Sequence, residues 1–435
     1  MQGVDRALRI TGGNRLAGSI CVSGSKNAAL PEMVAALLAR RPITLHNVPR
    51  VTDTVVMAEI FGLLGGEATG KGTVRIDTSA MTGTDVPDSL GRRMRATIVL
   101  LGALLARFGR ARLPRPGGDD IGARRVEQHL RGLHQMGAHV VETATEIVAT
   151  VERLRGDRIV FDLPTVTGTE NILLAAVTAE GRTEIFNAAR EPHVQDLCRL
   201  LTKMGARIEG IGTERLIVDG VDELGGAEHT VIADYLEAGT YAIAVAAAGG
   251  DLRIECTRPE DLQLLLLKLE QAGANVEAGE DWFSVSRDPS TPLRPIDMST
   301  WTFPGFPTDL QAQYMALMTQ ADGDSVISEY VHENRFQHVR ELAKMGAGIT
   351  VEGRLHAIVH GPARLRGTDV AIPDIRSGAA LVIAALCAEG ESLLRNSWHV
   401  ERGYEDMVGK LSAAGAQIKG VNVEPEAAAG HRTYE

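Results

Sequence analysis

The chain of 435 residues has few cysteines, no long apolar run and no excess of positive charge. Its four cysteines (Cys21, Cys198, Cys256 and Cys387) are scattered without CxxC spacing, so we expect reduced core residues in a cytoplasmic protein. No apolar run reaches the roughly 18 residues of a membrane span, and no signal peptide is expected. The formal net charge of −11 disfavours general binding to nucleic acid or to anionic membranes.

Motifs for metals and for activated nucleophiles are also missing. The 12 histidines form no HExxH or similar pair, so we expect no metal site and no cofactor. There is no G-x-S-x-G turn of the kind that carries a nucleophilic serine. The chemistry must therefore come from other polar side chains, and nothing in the sequence implies an oligomer.

A unit of about 70 residues recurs six times. Each copy has an apolar helix that ends at a glycine and is followed by a strand, and these glycines are Gly65, Gly137, Gly205, Gly273, Gly346 and Gly415. Their spacings are 72, 68, 68, 73 and 69 residues. A second marker, an alanine-rich helix that breaks at a glycine, keeps the same period at Gly109, Gly181, Gly250, Gly323 and Gly390. Two markers in phase identify an internal repeat.

The repeat predicts an α/β fold. Each copy has the order strand, helix, strand, helix and β-hairpin (βαβαββ), with apolar helices such as 27–38, 172–177 and 379–387. A unit this small cannot cover its own helices, so three copies must stack with their helices at the centre and their sheets outside. Six copies therefore predict two globules of three repeats each.

Seven Gly-rich or charged segments occur at predicted turns, where binding residues are often found. They are VSGSKNAALP (22–31), RRMRATIVLLG (92–102), PRPGGDDIGARRVEQH (114–129), FPGFPTDLQAQY (303–314), VHENRF (331–336), PDIRSGAALV (373–382) and HVERGYE (399–405). Lys26 and Asn27 lie where a helix begins, which favours anions. Taken separately, each segment also has an ordinary structural interpretation: a surface lysine, a solvated loop over 114–129, or a helix cap at Asp309.

Together and in this order, the segments resemble the enolpyruvyl transferases over nearly the whole chain. The close matches are SGSKNAALP, RMRAT, PGG-x-x-IGAR, NAAREP, FPTDLQAQ, ENRF, DIRSGAALV and HVERGYE. The resemblance is strongest to the UDP-N-acetylglucosamine 1-carboxyvinyltransferases of peptidoglycan synthesis. Gly-Ser-Lys-Asn-Ala-Ala favours this branch over the shikimate-pathway branch, which typically reads Gly-Ser-Lys-Ser.

The resemblance implies two inside-out α/β barrels with the active site in the cleft between them. One domain would comprise residues 1–25 plus 234–435 and the other residues 26–233, with crossovers near Ser25 and Ala233. The implied reaction moves the enolpyruvyl group of phosphoenolpyruvate to the 3′-hydroxyl of UDP-N-acetylglucosamine and releases phosphate. It would proceed by addition and then elimination.

The resemblance also implies roles for individual residues. Phosphoenolpyruvate would be bound by Lys26, Asn27, Arg124 and Arg402, with Lys26 and Arg402 also acting in catalysis. UDP-N-acetylglucosamine would be bound by Arg95, Arg124, Arg125, Val126, Glu127, Gln128, Asp309 and Val331. Asp309 would be the base for the attacking hydroxyl, and Asp374 a candidate for proton removal in the elimination.

The chain departs from the usual family pattern at the proton donor. Many members have cysteine directly after Pro-Gly-Gly, where it donates a proton to C3 and is alkylated by fosfomycin. This chain has Asp119 there, followed by Asp120. We expect Asp119 to be the general acid and the protein to resist fosfomycin.

The expected acceptor pocket departs as well. Family members usually read Pro-Val-Asp-Leu-His after Ile-Gly-Ala-Arg, whereas this chain reads Arg-Val-Glu-Gln-His from Arg125 to His129. A turn usually read as Ser-Val-Gly is Thr165, Val166 and Thr167 here. Two alternatives therefore stay open: a related enzyme that uses another uridine nucleotide, and a non-catalytic protein that binds a nucleotide sugar.

Overall fold

Six β-sheets surround two hydrophobic cores in the computed structural model of the chain, which describes residues 5–424. The split core contains buried residues between 8 and 22 and between 235 and 418. The middle core contains buried residues between 28 and 231. These limits support the predicted division near Ser25 and Ala233, which we keep as a proposal. Residues 1–4 and 425–435 of the chain lie outside the part that the structure describes.

The strands follow one another along the whole described chain. They are β1 (Asp5–Thr11), β2 (Leu16–Cys21), β3 (Ile43–His46), β4 (Glu67–Lys71), β5 (Thr73–Asp77), β6 (Arg110–Pro114), β7 (His139–Glu142), β8 (Glu146–Thr150), β9 (Arg158–Val160), β10 (Arg182–Phe186), β11 (Arg207–Glu209), β12 (Arg215–Asp219), β13 (Glu228–Thr230), β14 (Gly250–Glu255), β15 (Asn275–Ala278), β16 (Trp282–Arg287), β17 (Met298–Ser299), β18 (Asp324–Ser328), β19 (Gly348–Glu352), β20 (His356–His360), β21 (Asp369–Ala371), β22 (Glu391–Arg395) and β23 (Gln417–Val423).

The helices alternate with these strands. They are α1 (Lys26–Ala35), α2 (Thr52–Leu63), α3 (Asp88–Gly91), α4 (Leu100–Phe108), α5 (Glu127–Gln135), α6 (Val166–Ala176), α7 (Pro192–Lys203), α8 (Tyr235–Ala248), α9 (Gln263–Ala272), α10 (Gln311–Met318), α11 (His338–Lys344), α12 (Ile375–Cys387), α13 (Trp398–Glu401) and α14 (Met407–Ala413). Short 3₁₀ helices cover Ala36–Leu38, Arg95–Val99, Pro259–Leu262 and Thr308–Leu310.

Three largely buried helices occupy the centre of each core. They are α1, α4 and α6 in the middle core and α8, α10 and α12 in the split core. Their alanine-rich faces allow close packing, and every residue of α10 is buried. The sheets lie outside them. This is the inside-out α/β arrangement that the repeat predicts.

One repeat shows the topology of the unit. The strands β9, β10, β11 and β12 form one sheet in the order β11-β12-β10-β9, with β9 parallel to β10 and the other neighbours antiparallel. The helices α6 and α7 connect these strands in the βαβαββ order. A second repeat has the three-stranded sheet β6-β8-β7, where a single bridge from Asp85 to Arg112 replaces the fourth strand.

The last strand before each crossing pairs within the core that the chain is leaving. The strand β2 leads directly into α1 of the middle core but pairs in parallel with β14 of the split core. The strand β13 leads into α8 of the split core but pairs in parallel with β3 of the middle core. The two connections meet where Gly24 bridges Ala233. The chain therefore crosses twice between the cores at one place.

The repeat glycines share one backbone conformation. All eleven have positive φ, for example +98° at Gly137 and +87° at Gly181. A residue with a Cβ atom is strained in this region, so glycine is favoured where each helix turns into its strand. This requirement explains why the markers keep their period in the sequence.

The structure contradicts the expectation that all four cysteines are reduced. Cys21 and Cys256 form a disulfide, although 235 residues separate them. They meet because β2 and β14 pair in parallel, which places the ends of the two strands side by side. Cys198 and Cys387 are free. Within residues 5–424, no helix is long and apolar enough to cross a membrane.

Candidate active site

A cavity of about 390 Å³ is lined by residues of both cores. The middle core supplies Lys26, Asn27, Asp53, Arg95, Asp119, Arg124 and Arg125, and the split core supplies Asp309, Val331, Arg335, Arg376 and Arg402. The cavity is therefore the cleft between the two cores. Its cations come from segments remote from one another along the chain.

A chain of ion pairs joins the two cores across this cleft. Asp53 accepts a hydrogen bond from Lys26 Nζ at 3.2 Å and another from Arg402 Nε at 3.1 Å. Arg402 Nη1 also donates to Asp119 Oδ1 at 2.7 Å. Burial alone would lower the pKa of Arg402, but Asp53 and Asp119 raise it above its usual value. Two cations thus point at one place and are held there by two carboxylates.

Lys26 lies at the N-terminus of α1. Ser25 caps this helix, because its side chain accepts a hydrogen bond from the backbone N–H of Ala28 at 3.3 Å. Free N–H groups and the helix dipole favour anions at such an end. Asn27, the next residue, also lines the cavity. The first turn of α1 therefore adds its dipole to the positive charge of Lys26.

Arg124 and Arg95 form a second basic group. Arg124 has a positive φ of +41°, and its guanidinium donates to the backbone oxygen of Asp119 at 3.3 Å. Arg95 donates to the backbone oxygen of Arg124. Burial, followed by the charge of Arg124, lowers the pKa of Arg95 to about 10. Both arginines stay protonated near neutral pH and face the cleft together.

Asp309 lies on the other wall, in the 3₁₀ helix Thr308–Leu310. Its carboxylate accepts hydrogen bonds from Arg335 at 2.6 Å and from Arg376 at 3.1 Å. Burial would raise the pKa of Asp309, but these two arginines outweigh it and hold the pKa well below its usual value. Asp309 is therefore a stable carboxylate in the cavity.

The residues predicted to contact the nucleotide sugar are only partly brought together. Arg125 and Val331 line the cavity with Arg95 and Arg124, whereas Val126, Glu127 and Gln128 do not. Val126 is buried in the middle core and Glu127 is exposed. The side chain of Gln128 accepts a hydrogen bond from the backbone N–H of Asp162 and donates one to the backbone oxygen of Leu163. The helix α5 starts at Glu127, which turns these side chains away from the cleft.

Asp374 also lies outside the cavity lining. It is the N-cap of α12, and its Oδ1 accepts hydrogen bonds from the backbone N–H groups of Arg376 and Ser377 at 2.9 Å each. Ser377 Oγ donates to the second carboxylate oxygen. In this structure its carboxylate orders the start of α12, which carries the cavity residue Arg376.

Several cavity residues were not predicted from the sequence as site residues. One of them is Asp53. It was not predicted because an acid in the first turn of a helix such as α2 has an ordinary structural interpretation. Trp301 lines the cavity with 60% of its surface exposed. No sequence signal marks either residue, since their position depends on how the two cores meet.

Buried titratable groups surround the cleft. Burial, then Arg335 and Arg124, lower the pKa of His332 to about 3. Burial raises the pKa of Glu170 well above its usual value and also raises that of Glu191. Neutral imidazole and a raised carboxyl pKa both follow from the low polarity of the walls. The net effect leaves the cations as the dominant charges that a substrate meets.

Comparison with known proteins gives consistent results. Residues 10–411 match the family described as EPSP synthase (3-phosphoshikimate 1-carboxyvinyltransferase). The crystal structure of the enolpyruvyl transferase NikO from Streptomyces tendae is 28% identical, with a TM-score of 0.85 over 97% of this chain and 100% of that chain. EPSP synthase from Acinetobacter baumannii is 20% identical, with a TM-score of 0.72 over 96% and 100%, and supports the fold alone.

Two cores of three repeats each, which meet at a cationic cleft, define an inside-out α/β barrel protein with a site suited to an anionic substrate. The family match covers most of the chain, and the chain belongs to the EPSP synthase family of enolpyruvyl transferases. Transfer of the enolpyruvyl group of phosphoenolpyruvate is the activity of this family. The identity of the acceptor is a separate question.

Proposed function

We propose that the protein transfers the enolpyruvyl group of phosphoenolpyruvate to a hydroxyl group of a uridine nucleotide. The first acceptor we propose is UDP-N-acetylglucosamine, whose 3′-hydroxyl would attack C2 of phosphoenolpyruvate, as in the first committed step of peptidoglycan synthesis. The observation that carries the proposal is the convergence of Lys26, Arg124 and Arg402 on one cavity between the cores.

The donor fits this group of cations. Phosphoenolpyruvate carries close to three negative charges, and guanidinium groups bind phosphate and carboxylate with paired hydrogen bonds. We assign its phosphate and carboxylate to Lys26, Arg124 and Arg402. In the structure Lys26 forms an ion pair with Asp53, and Arg402 forms ion pairs with both Asp53 and Asp119. The donor would compete with these carboxylates for the cations.

Asp119 is the proposed proton donor to C3 of the donor. Its Oδ1 accepts a hydrogen bond from Arg402, so Oδ2 is the oxygen that we assign the transferred proton. Arg402 would then orient the acid as well as bind the substrate. Addition of the acceptor oxygen to C2 and of this proton to C3 gives a tetrahedral adduct. In the elimination a proton leaves C3 for the ionised Asp119, the C2–O bond to phosphate breaks and the double bond forms again. The proton of the acceptor hydroxyl would leave along its hydrogen bond to Asp309 and end on the released phosphate or in solvent.

Asp309 is the proposed partner of the attacking hydroxyl. Its low pKa makes it a weak base but a permanent carboxylate, able to accept the hydroxyl hydrogen bond at any pH near neutrality. Arg335 and Arg376 fix its orientation. For Asp374 the structure supports positioning of Arg376 through the start of α12, so we do not route the elimination proton through it.

A sugar-free uridine nucleotide is the second candidate acceptor. Three residues expected to contact the nucleotide sugar, Val126, Glu127 and Gln128, lie outside the cavity lining. In the turn that departs from the usual pattern, Thr165 caps α6 and the Thr167 hydroxyl lies 3.3 Å from His129 Nε2. These bulkier side chains reduce the room for a large acceptor.

Phosphate release measured with phosphoenolpyruvate and a panel of acceptors tests the proposal. Turnover with UDP-N-acetylglucosamine supports the first acceptor, and turnover only with uridine mono- or diphosphate supports the second. Lys26→Met should abolish release, whereas Lys71→Met, an exposed lysine on β4, should leave it unchanged. No release with any uridine nucleotide would refute the proposal and favour a binding protein.

A further inference from the structure

A buried cluster of Glu32, Asp196 and His229 lies in the middle core, outside the cavity lining. Glu32 is on α1, Asp196 on α7 and His229 on β13. We propose that these three side chains bind one divalent transition-metal ion, of which Zn²⁺ is the one we would test. The sequence predicts no metal site because these residues lie far apart along the chain and form no known motif.

The geometry fits a metal with three protein ligands. His229 Nε2 lies 3.2 Å from Asp196 Oδ2 and 3.8 Å from Glu32 Oε1, and the ligand atoms all lie within 4.8 Å of one another. Ligand atoms about 2.1 Å from a zinc ion stand roughly 3.4 Å apart in a tetrahedron. The two spacings from His229 are close to this value, and the third, between Glu32 and Asp196, is at most 4.8 Å.

The cluster also lacks the partners that a buried polar group requires. Glu32 is fully buried, and neither of its carboxylate oxygens has a hydrogen-bond partner. The ring nitrogens of His229 likewise lack a partner with hydrogen-bonding geometry. Buried unpaired polar groups are rare, because each costs about 1–3 kcal/mol. Glu32 and His229 converge on Asp196, which identifies the common point as the place for a ligand.

The charge of the cluster favours a cation. The carboxyl groups of Glu32 and Asp196 lie close together. Arg199 Nη1 lies 3.8 Å from Asp196 Oδ1, and the charge of Lys203 also acts on Glu32. A metal ion with one nitrogen and two oxygen ligands would neutralise both acids.

The proposed role of the ion is structural. It would fasten the central helix α1 to the outer helix α7 and to β13, next to the place where the chain crosses between the cores. Asp196 already accepts a hydrogen bond from the backbone N–H of Ile232 at 3.0 Å, within this crossover. Metal binding should therefore stabilise the middle core without contacting the substrate cleft.

Titration of the chelator-treated full-length protein with ZnCl₂ tests the proposal, read by calorimetry, by metal content and by the thermal unfolding midpoint. We expect one tight equivalent and a rise in the midpoint. Glu32→Gln keeps the shape but should weaken binding by at least about tenfold. His46→Gln is the matched control, since it removes an exposed histidine 2.6 Å from Glu228 and should leave the tight equivalent intact.

Three results would overturn the proposal. The first is a wild-type protein with no tight equivalent, and the second is a tight equivalent lost in His46→Gln but kept in Glu32→Gln. The third is a wild type whose thermal unfolding midpoint does not respond to Zn²⁺, together with a Glu32→Gln variant whose midpoint is higher. That result would mean that Glu32 and Asp196 share a proton and bind no metal ion. If Glu32→Gln loses its circular dichroism signature, His229→Asn takes its place in the same titration.

Discussion

Asp53 is the carboxylate that holds Lys26 and Arg402 together, and its replacement by asparagine tests how the cleft is built. Only 4% of Asp53 is exposed, and its two oxygens lie 3.2 Å and 3.1 Å from the two cations. Removing one member of a buried ion pair leaves the opposite charge unpaired and costs about 3–5 kcal/mol. We take about 3 kcal/mol, because Lys26 and Arg402 can still reach water in the cavity.

The assay is urea denaturation with and without phosphoenolpyruvate. Asp53→Asn should lower the free energy of unfolding by about 3 kcal/mol without ligand. Saturating phosphoenolpyruvate should stabilise the variant more than the wild type, because the substrate anion supplies the negative charge that Asp53 lost. Asp88→Asn is the control: Asp88 pairs with Arg92 at 3.2 Å on the surface, so its loss should cost under about 1 kcal/mol.

Two results would refute this reasoning. If Asp53→Asn and Asp88→Asn destabilise the protein equally, the bridge across the cleft contributes no more than a surface pair. If phosphoenolpyruvate stabilises the variant and the wild type to the same extent, the donor does not compete with Asp53 for the two cations. The second result would also count against binding of the donor at Lys26 and Arg402.

Three further predictions concern single side chains. The wild type should show no fosfomycin adduct by intact mass, whereas Asp119→Cys should gain one; an adduct on the wild type would contradict the prediction. Asp309→Asn should lower kcat by about 10²-fold or more, measured by phosphate release, because the attacking hydroxyl loses its carboxylate partner. It should also lower the free energy of unfolding by about 3 kcal/mol, because the buried Arg335 and Arg376 lose their shared carboxylate. Burial, then the charge of Arg95, lowers the pKa of His129 to about 3. The unfolded chain therefore binds more protons below about pH 6.5, and the wild type should lose up to ~2 kcal/mol more stability than His129→Gln between pH 7 and pH 5. Equal slopes of unfolding free energy against pH would contradict this.

Much of the fold could be predicted from the sequence because its signals are local. Each repeat ends its helices at glycines that require positive φ, and this need recurs six times at nearly constant spacing. The alanine-rich segments could be recognised as central helices from their apolar faces alone. The helix predicted over 27–38 is α1 followed by a 3₁₀ turn, and the one over 379–387 is the second part of α12.

The site was predicted only where a motif carries its own signal. Lys26, Arg124 and Arg402 lie in segments that resemble a family, and the structure places all three at one cavity. Val126, Glu127 and Gln128 were assigned to the site by their place in the same motif. The start of α5 at Glu127 decides where these side chains point, and that turn depends on packing against the middle core.

The sequence alone determined the repeat, the α/β class and which segments carry the cations that line the cleft. These features could be predicted because periodicity, backbone preference and residue type depend only on a few neighbouring residues. Only the tertiary structure decided which distant residues meet. The parallel pairing of β2 with β14 brings Cys21 to Cys256, and the meeting of the two cores joins Asp53 to Arg402, which is 349 residues away. Such contacts follow from the packing of whole domains, which leaves no local pattern in the chain.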